Sequence, residues 1–343
     1  MQTNGWPIMP NDLTTKSKLN HSQACFSIIK NGSKSFHFAS LILPRDMRMA
    51  AASLYAFCRV SDDIIDDPRA TLSAVHRLKD RIDAAYAGRP NNHIADRAFA
   101  EVVRVYNIPK SVPLSMIEGF EWDLNGKQYQ NIGQVIDYSA RVAGTVGIMM
   151  SLVMQRRSQR TLARACDLGV AMQLINIARD VGEDAHNGRV YLPQTWLNEV
   201  GLDQASLLEN PQFSPALGQV IERLLDTADR IYQRALTGMG DLPSGCRPGI
   251  RAAGMVYAGI GTQIRANGFN SIDQRAYTSR SKKVSLLLQA LVPPITQSTC
   301  DESPALKEVT YLVDAAVDHS HDPRGSIERW VDLHTKLALR DRS

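Results

Sequence analysis

Cysteine, aromatic residues and long apolar runs are all scarce in this chain. Its five cysteines, Cys25, Cys58, Cys166, Cys246 and Cys300, are scattered through 343 residues with no C-x-x-C pair. An odd, dispersed set builds neither a disulfide framework nor a thiolate zinc site, and it points to a reducing compartment. Aromatic residues make up only 6% of the chain, and no stretch alternates apolar and polar residues as a half-buried strand does. The longest apolar stretch, Val142–Met154, is broken by glycines and is too short to span a bilayer. The N-terminal stretch holds no apolar core of signal-peptide length, so a cytoplasmic protein is expected. A strong charge imbalance is missing too, since 39 basic residues against 35 acidic ones give +4. That falls short of the dense basic stripe of a nucleic-acid binder, and no nucleic-acid partner is expected.

What is present is an ordinary globular mix, with 44% hydrophobic and 22% charged residues. A chain of this length buries roughly 75% of its unfolded surface without staples. Apolar residues recur at three- and four-residue steps almost throughout, which predicts an all-α fold. Helices are expected at Asp46–Asp67, Thr71–Ala87, Ile94–Tyr106, Lys110–Leu124, Ile132–Met154, Arg160–Gly182, Pro215–Met239 and Arg247–Asn267. Two more are expected at Ser281–Leu291 and Ser326–Leu339. Turn signals such as Gly88-Arg89-Pro90 and Leu242-Pro243-Ser244-Gly245 separate them. The chain divides into a flexible polar tail over residues 1–22, one domain over 23–295 and a C-terminal helical extension over 296–343.

Two acidic clusters stand out on these helices. In Ser61-Asp62-Asp63-Ile64-Ile65-Asp66-Asp67, Asp62 and Asp66 share the helix face that already carries Leu54 and Cys58. Two carboxylates about 6 Å apart repel by roughly 3 kcal/mol at an effective dielectric near 20. A helix C-terminus adds to the cost, so something positive should neutralise the pair. The second cluster sets Gln173, Asn176, Asp180 and Asp184 in one polar line on a helix that is otherwise apolar. Such a line should face a wet or metal-filled space, because unpaired buried charge is costly.

Magnesium suits both clusters, being a hard cation that takes one or two carboxylates and binds substrate phosphates. Manganese would fit as well. Two such pairs on separate helices can clamp metal around one diphosphate and ionise an allylic diphosphate between apolar walls. The plain alternative for each cluster is a solvated helix end. Arg59, Arg179 and Arg189 offer forked donors for diphosphate oxygens, or else simply pair with the neighbouring aspartates. Gly32-Ser33-Lys34-Ser35-Phe36 offers phosphate donors or a plain helix cap.

These segments resemble the squalene and phytoene synthases. Asp62-x-x-x-Asp66 with Asp180-x-x-x-Asp184 is similar to that family's paired aspartate motifs. Gly32 through Phe36 is similar to its N-terminal substrate segment, and Tyr55-Ala56-Phe57-Cys58-Arg59 to the lead-in of its first motif. Tyr138 with Val142-Ala143-Gly144-Thr145-Val146-Gly147 resembles its central helix, and Gln173 through Pro193 its second motif and following flap. The likeness runs from about Gly32 to about Leu291 and is strongest to the bacterial phytoene synthases.

The resemblance implies an isoprenoid-synthase-type helical bundle with a central apolar cavity. It implies head-to-head condensation of two geranylgeranyl diphosphates, through prephytoene diphosphate, to phytoene in carotenoid biosynthesis. The alternative within the family is squalene or dehydrosqualene synthesis from farnesyl diphosphate, and a remote one is a silent scaffold relative. Carried over, Asp62, Asp66, Asn176, Asp180 and Asp184 hold magnesium, with Glu183 in support. Ser33, Arg59, Gln173 and Arg189 bind diphosphate, and Gly144 and Gly147 let the prenyl chain pass close to the backbone. Helix packing is the other account of those two glycines. Tyr138, Tyr257 and Arg179 serve the reacting centre.

Ser40 stands where some shorter-chain relatives carry a bulky aromatic, which suits a longer substrate. No G-x-G-x-x-G occurs, and no NADPH is expected. Arg280, Lys282 and Lys283 before Val284-Ser285-Leu286-Leu287-Leu288 read either as a peripheral membrane contact for product release or as a packed helix with a basic end. The oligomeric state is left open.

Overall fold

The computed structural model describes residues 24–30, 32, 34–292 and 303–317. Ser33, Cys300, the expected tail over 1–22 and the helix expected at Ser326–Leu339 lie outside the described residues. The described residues form helices and connecting turns, with no strand among them. In chain order these are α1 (residues 24–30), α2 (Lys34–Ser40), α3 (Arg45–Ile65), α4 (Leu72–Tyr86), α5 (Ile94–Val105) and α6 (Ser111–Leu124). Then come α7 (Ile132–Ser139), a π-helical turn (Ala140–Gly144), α8 (Thr145–Val153) and α9 (Gln159–His186). The series ends with α10 (Gln194–Glu199), α11 (Gln204–Glu209), α12 (Pro215–Leu236), α13 (Arg247–Ala266), α14 (Arg280–Leu291) and α15 (Thr310–Ala316).

Local chemistry explains the long elements. Pro44 precedes α3 and cannot continue a helix backwards, and Asp46 puts negative charge in the first turn. The Ser158 hydroxyl accepts the Thr161 N–H at 3.2 Å to start α9, and Ser214 does the same for Leu217 before Pro215 opens α12. The expected helix Ile132–Met154 is continuous but carries the π turn in its middle. The helix expected to end at Gly182 runs on to His186, so Asp184 is helical as well as Asp180.

The 28-residue α9 is the axis of the fold. It packs against α7, the π turn, α8, α12, α13 and α15. Gly147 and Gly169 permit the closest of these approaches. A Cβ on Gly147 would stand 2.1 Å from the Ala165 carbonyl oxygen, and one on Gly169 2.3 Å from that of Ala143. On the other flank α3 packs on α5, with Phe57 stacked on Phe99 at 3.9 Å between ring centres.

The segment 303–317 belongs to the same core, with Val309, Leu312 and Val313 fully buried. Arg164 and Arg234 donate to its first carbonyls, Ser303 and Pro304. The buried Arg141 guanidinium lies over the Tyr311 ring at 5.1 Å and over the Trp122 ring at 4.1 Å. Arg141 is only 1% exposed, and Glu118 at 3.1 Å together with Asp137 neutralises it. A buried charge survives only with such partners.

Candidate active site

The first acidic cluster closes α3. Asp62 lies in the last turn, and Asp66 caps the helix with its N–H on the Asp62 carbonyl at 2.9 Å. The Asp62 side chain keeps 41% of its surface open to water yet stands among crowded carboxylates. Desolvation, and then the charge of Asp66, push its carboxyl up to about 7. Arg59 pairs with Asp62 at 3.3 Å and with Asp63 at 2.6 Å. Asp67 turns away to Arg69, whose hydrogen bonds hold its carboxyl down to about 2. A cavity of about 590 Å³ opens at this helix end, lined by Arg59, Asp63, Asp66, Asp67, Pro68 and Arg69.

The second cluster lies on the inner helix. Gln173, Asn176, Asp180 and Asp184 are each partly open, while Leu174, Ile175, Ile177, Ala178 and Val181 are buried. The polar line is therefore the less buried side of this stretch of α9. Asp180 receives the Arg179 Nε at 2.7 Å and the Arg275 Nε at 2.9 Å. Glu183 pairs with the other end of Arg275 at 3.1 Å. Desolvation, followed by the charge of Asp180, pushes Asp184 up to about 8. The Asn176 amide donates to Gln173 at 3.2 Å, but its Oδ1 is buried without a hydrogen-bond partner. Tyr257 stands beside Asn176 and Arg179, and burial pushes its hydroxyl up. Phe36 and Tyr55 complete an aromatic cluster there, with ring centres 6.1 Å and 5.7 Å from one to the next.

A third wall comes from α6. Asp123 accepts the Tyr138 hydroxyl at 2.8 Å and the Tyr191 hydroxyl at 2.7 Å. Those two rings stack with centres 4.9 Å apart. Desolvation pushes Asp123 up to about 6 against the pull of the two hydroxyls and Arg189. Asp123 thus brings the end of α6 beside Tyr191, in the segment that follows α9. From the same segment Arg189 reaches Asp66 at 2.9 Å. With its own N–H on the Asp184 carbonyl at 2.8 Å, Arg189 joins the end of α9 to Asp66 at the end of α3.

Sequence reasoning missed Asp123, Tyr191 and Arg275. Tyr191 sat inside the quoted flap without a role. Asp123 ends an apolar helix, the same signal that marked Asp180, though a lone carboxylate carries less of it. Arg275 is brought in by Gly182, whose N–H donates to the Ser271 carbonyl at 3.0 Å and whose missing Cβ leaves room for Ile272. The expected route of a prenyl chain past Gly144 and Gly147 meets a different neighbour. A Cβ on Gly144 would stand 2.5 Å from the Cys166 sulfur, and one on Gly147 would strike Ala165, so both glycines serve the close contact with α9. Ser33 lies outside the described residues; its neighbour Gly32 abuts the Tyr55 hydroxyl and the Arg59 stem.

Residues 29–282 match the squalene/phytoene synthase family. The chain belongs to that family. It is 45% identical over 328 residues to the phytoene synthase of Rhodobacter capsulatus, covering 93% of this chain and 96% of that one. It is 36% identical over 289 residues to the 15-cis-phytoene synthase of Pantoea ananas, covering 81% and 92%. A solved dehydrosqualene synthase in complex with ligand superposes with a TM-score of 0.75 at 28% identity, over 80% of this chain and 97% of that one. The squalene/phytoene synthase family is of the prenyltransferase type, so the carboxylate-lined space of this chain is the candidate site for prenyl diphosphates.

Whether a divalent ion suits that space can be judged from its donors. They are hard oxygens, two of the carboxylates are pushed up by desolvation and then by a neighbouring carboxylate, and one amide oxygen is buried with no partner. All three features fit a hard cation. Among the described residues no three carboxylate, histidine or cysteine side chains gather closely enough to enclose an ion by themselves.

Proposed function

We propose that this chain joins two geranylgeranyl diphosphates head to head, through prephytoene diphosphate, to give phytoene for carotenoid synthesis. The observation that carries the reading is 45% identity along nearly the whole chain to a phytoene synthase, with both aspartate pairs intact. Magnesium, or manganese in its place, fits Asp62, Asp66, Asn176, Asp180 and Asp184. When bound, it supplies charge for the departing diphosphate.

The chain's own residues do the rest. Arg59, Arg179 and Arg189 now pair with aspartates. A diphosphate gives the same forks oxygens of its own, so an arginine can pass from carboxylate to phosphate as substrate arrives. Gln173 orients Asn176, and Glu183 holds Arg275 against Asp180. Ser33 adds a hydroxyl to the first diphosphate. Tyr138 and Tyr257 present ring faces to the allylic cation, which attracts π density. Asp123 fixes the direction of the Tyr138 and Tyr191 hydroxyls. Proton loss ends the sequence, and no reductant is called for.

A second reading takes farnesyl diphosphate and gives dehydrosqualene. The superposition on a dehydrosqualene synthase favours it. Ser40 favours the longer chain, since it is small and folds its hydroxyl back on the His37 carbonyl at 2.8 Å. The test offers C15 and C20 diphosphates together with magnesium, without NADPH, and separates the products by chromatography. C40 phytoene is expected. A C30 product alone overturns the C20 reading, and no condensation product overturns both.

A further inference from the structure

The segment 303–317 lies outside the residues 29–282 that match the family, yet it is built into the core. Val309, Leu312, Val313 and Ala316 are fully buried. The two arginines that receive its entry, Arg164 and Arg234, both pair with the buried Asp167, at 2.6 Å and 3.4 Å. Helix α15 packs on α6, α8 and α9, and the turn before it, Lys307–Val309, packs on α7 and the π turn. Gly133 of α7 makes room for that turn, since a Cβ there would stand 3.1 Å from the Glu308 carboxylate. The segment therefore bears on the helices that lead into and out of the π turn.

Arg141 lies within the π turn, and its guanidinium reaches back to Asp137, to the carbonyl oxygen at 3.3 Å and to the carboxylate at 2.5 Å. Its Nε faces Glu118 of α6 at 3.1 Å, and it lies over the Trp122 ring. Asp137 adjoins Tyr138 in sequence, Trp122 adjoins Asp123, and the Tyr138 hydroxyl donates to Asp123. One guanidinium thus braces the immediate neighbours of both partners in that hydrogen bond. Tyr311 adds a second ring against the same guanidinium. Its hydroxyl is buried without a hydrogen-bond partner among the described residues, so the ring and not the hydroxyl is what it contributes. A ring face attracts a desolvated cation, which an aliphatic side chain does not. A π turn breaks the regular helical ladder, so its geometry depends on what packs against it.

We propose that residues 303–317 are a positioning element of the active site: Tyr311, against Arg141, holds the π turn and so fixes Tyr138 on Asp123. The effect on turnover rests on the proposed reaction, in which Tyr138 faces the allylic cation. The holding of the turn does not rest on it.

The test compares variants of the full chain by steady-state kinetics with geranylgeranyl diphosphate and magnesium, and by amide hydrogen exchange. Tyr311→Leu removes the ring face but keeps an apolar side chain. Its kcat should fall about tenfold with KM within about twofold of wild type, because what is lost acts in the transition state. Exchange over residues 138–147 should rise about tenfold, while that of α5 stays as it is. Arg141→Lys keeps the charge but not the planar fork, and should reproduce both changes. Tyr311→Phe keeps the ring and should restore wild-type kcat and exchange. Leu207→Ala opens a cavity elsewhere in the core and should lower the melting temperature without lowering kcat. Wild-type kcat or wild-type exchange in Tyr311→Leu and Arg141→Lys overturns the proposal. So does an equal loss of kcat in Tyr311→Phe, or in Leu207→Ala, which would reduce the segment to general stability. A wild type that condenses no prenyl diphosphate overturns the proposed reaction, and the exchange data then decide whether the segment holds the turn.

Discussion

Asp66 caps a helix and keeps 49% of its side chain open to water, whereas Asp180 lies within a longer helix with 15% open. The two pairs share a four-residue spacing but differ in what fixes them. Asp180 and Asp184 are held by a rod that packs on many neighbouring segments, so their separation is set by helix geometry. Asp66 is held at a helix end, where the backbone has only its last hydrogen bond and a cross-site arginine to keep it in place. The inner pair is pre-positioned, and the outer pair is positioned by what bridges to it.

The comparison breaks most directly by removing one charge from each side. Asp180→Asn should cut turnover by about three orders of magnitude, roughly 4 kcal/mol of transition-state stabilisation. Asp62→Asn should do the same, with the helical circular dichroism retained in both. Asp66→Asn should cost less, since Arg189 and water already share that carboxylate. Equal losses at Asp66 and Asp180 would mean that the two settings do not matter.

The bridge is the next target. Arg189→Ala removes the fork that joins the segment after α9 to Asp66, and kcat/KM should fall about a hundredfold, roughly 2.7 kcal/mol. Arg189→Lys keeps the charge but not the fork and should recover only part of this. Full recovery would reduce the bridge to simple charge. A smaller effect tests the rigidity of the inner rod. Gly147→Ala places a methyl against the Ala165 backbone and should destabilise the fold by about 1–3 kcal/mol in urea titrations. Unchanged stability would show that α8 and α9 have room to part.

The smallest effect is a pH dependence. Asp62 and Asp184 are pushed up to about 7 and about 8 in the folded chain, from 3.8. A carboxyl raised by folding favours the folded state most at low pH, and that contribution is lost as pH rises through the folded value. In chelator, the stability contributed at these two sites is therefore expected to decline between about pH 4 and pH 8. Asp184→Asn should melt a few degrees above the wild type at pH 8, and the advantage should vanish near pH 4. An advantage that grows toward low pH would reverse the assigned cause.

Much of this was legible in the sequence, and the reasons differ by element. The helices followed from apolar periodicity; Asp62 and Asp66 stood out by continuing an apolar stripe, and Asp180 and Asp184 by forming a polar line on an otherwise apolar helix. The π turn at Ala140–Gly144 left no trace, because one extra residue in a turn barely alters such a pattern. Asp123 and Arg275 act through tertiary contacts, the first with two tyrosines and the second through a loop admitted by Gly182. The burial of 303–317 was equally hidden, since Tyr311 reads as an ordinary aromatic until Arg141 is found beneath it.

The convergence of the two pairs on one diphosphate is tested most directly by calorimetric titration with inorganic diphosphate, with and without magnesium. The wild type should bind diphosphate only when magnesium is present, and both Asp62→Asn and Asp180→Asn should lose that binding. Binding that survives intact in either variant would mean that the two helices do not grip the same ligand.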